Sequence, residues 1–233
     1  MTGLAAHADA FGEHYERALR EPTGPVLLRG AAASGGTRHD VDRYLGSADA
    51  LEVRIARGLS GPVLDVGSGP GRMVRAAREA GFAALGVDVS SAAVQIARSR
   101  GIPVIQGSVF DALPNEGDWG TTLLLDGSIG IGGDPTALLS RCRELLRTGG
   151  LVLVETHVDS RRDRRFAGVL ADENGATGGS FPWAEVGRHA LRRYARDTRL
   201  LPVREWYAQG RWFAEYARTA PVSGDPDGRR RAR

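Results

Sequence analysis

The feature that most constrains the fold of this chain is a short apolar run followed at once by a glycine-dense turn. Residues 63–66 read Val-Leu-Asp-Val, and the turn then places Gly67, Gly69 and Gly71 at alternate positions. Glycine permits left-handed backbone angles and lets a ligand come close, because no Cβ intervenes. A helix that begins at such a turn presents free N–H groups and a positive dipole end to that ligand. The pattern predicts a strand, a ligand-binding turn and a helix.

A second apolar run ends in a carboxylate. Residues 83–88 read Ala-Ala-Leu-Gly-Val-Asp. Asp88 therefore follows Gly67 by about 20 residues, a spacing at which an acid suits the two hydroxyls of a ribose. Together, the turn and the acid predict a pocket for a nucleoside cofactor on an α/β sheet.

The residues around the turn argue against a dinucleotide. A dinucleotide fingerprint has its third glycine at the position that Arg72 occupies here. Pro70 has no N–H, so the turn offers one donor fewer to a pyrophosphate. Asp65 lies just before the turn, where its charge repels phosphate and suits an ammonium group. S-adenosylmethionine carries an ammonium, a sulfonium and no phosphate, so these charges favour it over NAD or FAD.

The turn resembles motif I of the class I S-adenosylmethionine-dependent methyltransferases. The matching residues are Asp65, Gly67, Gly69 and Gly71, and Asp88 matches the acid that follows the family's second strand. The resemblance is good over roughly residues 60–156, and it implies an enzyme that uses S-adenosylmethionine as its cofactor.

Further stretches carry the same resemblance. Asp111 falls near the family's third acidic position, beside adenine, although many members carry that acid where this chain has Ser108. Thr148-Gly149-Gly150 resembles the Pro-Gly-Gly turn before the fifth strand. More narrowly, residues 125–135 and 181–187 resemble a subgroup of small bacterial methyltransferases whose substrates are poorly defined.

The alternation of elements agrees with that family's fold. We predict an α/β protein with a Rossmann-like class I methyltransferase fold: a seven-stranded, mostly parallel sheet that ends in an antiparallel hairpin, plus an N-terminal helical lid. The predicted boundaries are 1–58 for the lid, 59–220 for the methyltransferase domain with a cap insertion over 157–183, and 221–233 for a disordered basic tail. Predicted strands lie at 63–66, 83–87, 103–106, 121–125 and 151–156, predicted helices at 48–58, 71–80, 91–100, 135–147 and 184–197, and the hairpin at 201–208 and 211–218.

The resemblance implies a set of cofactor-binding residues along the carboxyl ends of the strands and in the lid. They are Tyr15, Tyr44, Asp65, Gly67, Ser68, Gly69, Gly71, Asp88, Val89, Val109, Phe110, Asp111, Asp126 and Gly127.

Two residues are candidate catalytic groups. Methyl transfer works mostly by holding nucleophile, methyl and sulfur in line, and a base is needed only when the acceptor arrives protonated. His157 follows the fifth predicted strand and has a suitable ordinary pKa; the alternative is a surface loop histidine. Asp126 ends the fourth predicted strand; the alternative is a turn-forming acid before Gly127.

Candidates for acceptor binding are aromatic. Phe181, Trp183 and Trp212 are predicted to line an apolar pocket, with core packing as the alternative. The arginines of segment 161–165 are either an attractor for an acidic acceptor or a solvated loop. No residues have metal-ligand spacing, so we predict no metal site.

The amino-acid composition argues against several classes of function. All 31 basic residues of this 233-residue chain are arginine, and the net charge is +3. Four of these arginines lie within residues 229–233, so the rest of the chain has no basic excess and we expect no nucleic-acid partner. The single cysteine, Cys142, permits no disulfide framework. No apolar run approaches the roughly 18 residues of a membrane helix. We therefore expect a cytoplasmic monomer or homodimer without a membrane partner.

These observations predict S-adenosylmethionine-dependent methyl transfer to an O, N or C atom of a small molecule, with secondary metabolism as the implied setting. Three alternatives stay open at this point. The fold could support a cyclisation or rearrangement instead, the chain could be a dinucleotide-dependent oxidoreductase, or it could bind a ligand without turnover.

Overall fold

The structure is a computed structural model that describes residues 15–20, 26–30, 36–171 and 177–220. The predicted basic tail, 221–233, lies outside the described residues, as do the first 14 residues of the predicted lid. In chain order the strands are β1 (Val26–Gly30), β2 (Gly36–His39), β3 (Val63–Val66), β4 (Ala84–Asp88), β5 (Val104–Gln106), β6 (Trp119–Leu124), β7 (Leu146–Thr156), β8 (Asp163–Ala171), β9 (Phe181–Val186), β10 (Leu200–Ala208) and β11 (Arg211–Arg218).

Seven helices lie between or beside these strands within the described ranges. They are α1 (residues 15–20), α2 (Val41–Leu45), α3 (Ala50–Arg57), α4 (Arg72–Glu79), α5 (Ser91–Ser99), α6 (Pro135–Leu145) and α7 (Arg188–Asp197), and a kinked 3-10 segment runs over Ser128–Gly133. None of the helices within the described ranges combines the length and the apolar character that crossing a bilayer requires.

The central sheet has seven strands in the order β10-β11-β7-β6-β3-β4-β5. The five strands from β7 to β5 pair in parallel, whereas β11 pairs antiparallel with both β7 and β10. The predicted seven-stranded sheet with its antiparallel final hairpin is therefore confirmed. All residues of β3 and of β6 are buried, as expected for central strands covered on both faces.

Local sequence signals explain where the helices around this sheet begin. The side chain of Ser90 accepts a hydrogen bond from the N–H of Ala93 at the start of α5. Asp134 accepts from the N–H of Thr136 at the start of α6, where Pro135 takes the first helical position. Such caps fix the helix ends close to the sheet edge.

A second, antiparallel sheet of four strands, in the order β2-β1-β8-β9, was not predicted from the sequence. Within the predicted N-terminal helical lid, residues 26–30 and 36–39 form strands β1 and β2 instead of helices. Val26 and Leu28 of β1 are buried and Leu27 between them is exposed, which is the period-two pattern of a strand. That pattern is only five residues long, and its pairing partner β8 lies more than 130 residues away.

The predicted cap insertion also forms part of this sheet. β8 and β9 pair with each other across 163–186, so helix α7 begins at Arg188 rather than at residue 184. The buried side chains of β1, β8 and β9 form a cluster with Tyr15 of α1 and with Ala92 and Ala93 of α5. This cluster holds the four-stranded sheet over one edge of the central sheet.

Candidate functional site

The candidate site is a cavity of about 440 Å³ between the two sheets. Its floor is formed by the carboxyl ends of the parallel strands, where open α/β sheets bind their ligands. Its roof is formed by β1, β8 and β9. A volume of this order is typical of sites for small molecules and cofactors.

The glycine-dense turn after β3 forms one wall of the cavity. Gly69 has a φ of +53°, and a Cβ built on it would lie 3.2 Å from the Tyr15 hydroxyl oxygen, inside the site. Gly71 has a φ of +85° and faces away from the cavity, where a Cβ would collide with Ile102. Gly69 therefore keeps space open for a ligand, whereas Gly71 allows α4 to pack closely against its neighbours.

Asp88, at the end of β4, lines the cavity beside this turn. One carboxylate oxygen accepts from the N–H of Gly69 at 2.7 Å, and the other accepts from the N–H of Ser90 at 2.8 Å. Burial raises the pKa of Asp88, and these backbone donors oppose the rise. These hydrogen bonds fix the orientation of the carboxylate, which the sequence predicts as the ligand of the ribose hydroxyls.

Asp65, within β3, is the second acid of the cavity. It is buried, and burial raises its pKa to about 7, although the nearby Arg72 charge works in the opposite direction. A buried carboxylate with this pKa gains its charge near neutral pH. It is therefore well suited to pair with a cationic ligand group that enters the site.

Arg72 is a site residue that the sequence reasoning did not select. Its guanidinium lines the cavity and forms ion pairs with Asp126, at 2.5 Å, and with Glu52 of α3. Its Nε is buried and has no hydrogen-bond partner among the described residues. The signal available in the sequence was an arginine in place of the third fingerprint glycine, at the first position of α4.

Asp126 is surrounded by arginines from three distant parts of the chain. Besides Arg72, it contacts Arg43 of α2 at 2.9 Å and Arg211 of β11 at 3.4 Å. Its φ is +52°, and its N–H donates to the carboxylate of Glu155 at 2.9 Å. The carboxylate lines the cavity, but it is held in ion pairs rather than directed at a reacting atom.

Glu52 completes this ionic network from below the cavity. Its side chain is 0% exposed and lies against Arg43, Arg72 and Arg211. Burial alone raises the pKa of a carboxyl, but here the hydrogen bond and charge of Arg72, aided by Arg43, lower the pKa of Glu52 to about 2. The network ties helices α2 and α3 of the lid region to the floor of the site.

The loop after β5 forms the wall beside the predicted adenine position. Val109 and Phe110 line the cavity together with Ser108, and Val89 after β4 lies on the same side. Asp111 is not a lining residue. Its carboxylate turns back to accept from the N–H of Ser108 at 3.1 Å, which closes a local turn.

The two lid tyrosines both reach the cavity. Tyr15 of α1 and Tyr44 of α2 line it, and burial raises the pKa of each phenol well above its ordinary value. Ser68 lies in the same wall, with its hydroxyl packed towards Gly86. The described parts of the N-terminal segment therefore contribute side chains of α1, β1 and α2 to the lining of the cavity.

The roof of the cavity is apolar. Phe181 and Trp183 of β9 line it, and their rings meet edge to face with centroids 5.8 Å apart. Behind them, a Cβ on Gly130 would collide with the Ala184 carbonyl oxygen and with the Trp183 ring. The two stretches that resemble a bacterial subgroup, 125–135 and 181–187, therefore pack against each other as one wall.

Three other predicted residues lie outside the cavity lining, in addition to Gly71 and Asp111. Gly127 only continues the left-handed turn after Asp126. His157 forms a bridge to Gly187 through its backbone, and its Nδ1 accepts from the N–H of Asp159 at 3.1 Å. Trp212 lies under the guanidinium of Arg188, 4.1 Å away, on the β10–β11 hairpin. The strand ends were predicted correctly, but the direction of these side chains depends on β9 and α7 packing beside them.

The arginines of segment 161–165 also lie outside the cavity. Arg162 pairs with Glu185 at 2.5 Å, and Arg165 lies 3.4 Å from Asp134. Within the described ranges, no group of three or more His, Cys, Asp or Glu side chains is placed to hold a metal ion.

Comparison with solved structures places this arrangement among methyltransferases. A methyltransferase from Bacteroides fragilis, solved with S-adenosyl-L-homocysteine, matches 92% of this chain and 97% of its own at 21% identity, with a TM-score of 0.68. The 1,6-didemethyltoxoflavin-N1-methyltransferase of Burkholderia thailandensis, with its substrate and S-adenosylhomocysteine bound, matches 74% of this chain and 80% of its own at 19% identity (TM-score 0.55).

A third similar structure is CalS10 from Micromonospora echinaspora, an amino pentose methyltransferase involved in calicheamicin biosynthesis, with S-adenosylmethionine bound. It matches 73% of this chain and 88% of its own at 17% identity, with a TM-score of 0.52. No curated protein sequence matches this chain. The family model described as a methyltransferase domain matches residues 37–198, more than half of the chain. The chain therefore belongs to the methyltransferase domain family.

Proposed function

We propose that this methyltransferase-family enzyme moves a methyl group from S-adenosylmethionine to an O, N or C atom of a small molecule. The observation that carries the proposal is the pairing of Asp65 and Asp88 with the open glycine turn at Gly69 in one cavity. These two buried acids favour a cationic nucleoside over a pyrophosphate, because Arg72, the one basic side chain in the described lining, is already paired with Glu52 and Asp126.

The cavity offers a partner for each polar part of that cofactor. Asp88 would accept from the ribose hydroxyls, and Asp65 would pair with the ammonium group. The buried Nε of Arg72 is a donor for the carboxylate. The missing Cβ of Gly69 leaves the space that the nucleoside needs. When bound, S-adenosylmethionine supplies an activated methyl group whose departure leaves a neutral thioether.

In such a reaction the protein acts mainly by positioning the methyl group and the nucleophile. The ionic network around Asp126 fixes the floor, and the roof over β9 confines the acceptor, so that nucleophile and methyl are held in line. We propose that Asp126 orients neighbouring groups rather than acting as a base, because its carboxylate is held by three arginines. His157 is not proposed as a base, because it lies outside the cavity lining.

We propose the class of acceptor and the metabolic role of the protein from the similar solved structures. Two of the similar proteins are a 1,6-didemethyltoxoflavin-N1-methyltransferase and an amino pentose methyltransferase involved in calicheamicin biosynthesis, which supports a small-molecule acceptor and secondary metabolism for this chain. We also propose that the protein is cytoplasmic, which the free, buried Cys142 supports because disulfides are rare in that compartment. We further propose that it is a monomer or homodimer. Light scattering of the purified protein measures the oligomeric state.

A binding and product experiment tests the reaction. S-adenosylhomocysteine, S-adenosylmethionine and NADP are compared by thermal shift, and only a true ligand raises the midpoint by mass action. Incubation with S-adenosylmethionine and candidate acceptors is then followed by mass spectrometry. Stabilisation by NADP alone, or a product of unchanged mass, would contradict the proposal.

A further inference from the structure

We infer that the acceptor is an uncharged small molecule with an apolar body, bound against the roof of the cavity. This inference rests on the proposed function and adds to it the chemical class of the substrate. Three observations support it: the composition of the roof, the distribution of charge around the cavity, and the placement of the arginines nearby.

The roof consists of side chains that are all hydrocarbon or aromatic in character. We define the apolar roof by its members on the three strands of the antiparallel sheet, namely Val26, Leu28, Leu170, Phe181, Pro182 and Trp183. Five of the six are buried within the protein. A flat or branched apolar body gains by leaving water for such a surface, and aromatic rings add edge-to-face contacts.

The charges of the cavity lie on the opposite side. Asp65, Asp88, Asp126 and Arg72 lie in strands of the central sheet, in the turn just after β6 or in α4, where the cofactor is proposed to lie. Arg72 is the one basic side chain among the described lining residues, and both Glu52 and Asp126 already pair with it. An anionic acceptor would therefore meet three carboxylates and no unpaired cation.

The arginines outside the cavity do not alter this balance. Arg162 is paired with Glu185 on the β8–β9 side, and Arg165 lies near Asp134 on the outer surface. A carboxylate or phosphate that entered the roof region would lose its hydration without gaining a cationic partner among the described lining residues, which opposes binding. The site consequently selects against anions and favours neutral apolar molecules.

Isothermal titration of the full chain with two probes tests the inference. The probes are 2-naphthol, which is neutral at pH 7.5, and 2-naphthoate, which has the same ring system and a negative charge. Each is titrated into protein saturated with S-adenosylhomocysteine. We expect 2-naphthol to bind at least tenfold more tightly than 2-naphthoate. Equal or tighter binding of 2-naphthoate would overturn the inference, and so would the failure of both probes to bind.

The same titrations separate this inference from the proposed function. If S-adenosylhomocysteine does not bind but 2-naphthol still binds selectively, the proposed cofactor is wrong and the apolar site is supported. If S-adenosylhomocysteine binds and the probes show no preference for the neutral ring, the cofactor stands and the substrate class is wrong.

A pair of matched variants locates the probe. Trp183→Leu removes a ring from the apolar roof, whereas Trp206→Leu removes a ring that stacks on Phe213 away from the cavity. We expect Trp183→Leu to weaken 2-naphthol binding at least fivefold and to change the Kd of S-adenosylhomocysteine less than twofold. That unchanged Kd also reports correct folding. A similar loss in both variants, or no loss in Trp183→Leu, would contradict binding at the roof. If Trp183→Leu does not fold, the milder change Leu170→Asn replaces it, with the same expected loss and the same refuting outcomes.

Discussion

The ionic network beneath the site leads to a quantitative prediction about stability. Glu52 has a side chain with 0% exposure and contacts three guanidinium groups, those of Arg43, Arg72 and Arg211. The substitution Glu52→Gln keeps the shape of the side chain and removes its charge. The charges of the three arginines would then be balanced by fewer carboxylates around a fully buried position, and leaving such charges uncompensated is strongly destabilising.

The magnitude follows from the pKa of this carboxyl. Its lowering from the ordinary value of 4.5 to about 2 corresponds to about 3 kcal/mol of native-state stabilisation. Because the pKa is lowered in the folded state, this stabilisation is complete above the unfolded pKa and is lost as pH falls towards the folded pKa. We expect Glu52→Gln to lower the free energy of unfolding by about 3 kcal/mol at pH 7, and by roughly half as much at pH 3.

Urea denaturation at both pH values measures this difference, and Glu116→Gln is the matched control. Hydrogen bonding to Arg141 also lowers the pKa of Glu116 to about 2, but that pair lies on the surface. Water screens an exposed pair and rehydrates a broken one, so the control should lose far less stability. Equal losses in the two variants, or a Glu52→Gln loss that does not shrink at low pH, would refute the reasoning.

Further predictions concern the cofactor side of the cavity. Asp88→Ala should weaken S-adenosylhomocysteine binding at least tenfold, about 1.4 kcal/mol, because charge-assisted hydrogen bonds to the ribose are lost; an unchanged Kd in calorimetry would contradict the ribose role. The affinity for S-adenosylhomocysteine should rise between pH 6 and pH 8, because Asp65, with a pKa of about 7, must be ionised to pair with the ammonium group. Asp65→Asn should abolish this rise when the titrations are repeated across the same pH range. Gly69→Ala should reduce the affinity for S-adenosylhomocysteine, because the new Cβ lies 3.2 Å from the Tyr15 hydroxyl oxygen. The control, Gly117→Ala, strains a similar left-handed backbone in open space, so it should lower stability without changing the affinity. Equal effects of the two variants on the Kd would show that backbone strain alone is responsible.

The floor of the site was predictable because its signals are local. The apolar run of β3, the glycines that follow it and the acid after the next strand all lie within about 25 residues, and each obeys a short-range rule. Asp65, Gly69 and Asp88 line the cavity as the pattern predicts. The parallel pairing of the central strands followed from the alternation of strands and helices, because such connections cross over the sheet.

The roof and the ionic network could not be predicted in this way. The place of β1 in the roof depends on its pairing with β8, and no local pattern links residues 26–30 to residues 163–171. Arg43, Glu52 and Arg211 come from three separate segments, and a charged residue in a helix or hairpin is usually on a solvated face. His157 was predicted as a site residue from the position of its strand, but its orientation is set by the neighbouring Gly187.

The pairing of β1 with β8 has a consequence for how the enzyme matures on the ribosome. Strand β1 is synthesised early, together with its neighbour β2, yet its other neighbour, β8, appears only after all the parallel strands are complete. Contacts between such distant segments form slowly, because a long loop must close before any pairing is gained. The nascent chain can therefore form the strand ends and the glycine turn of the site first. The roof over them forms only after β8 and β9 have been synthesised and β8 has paired with β1.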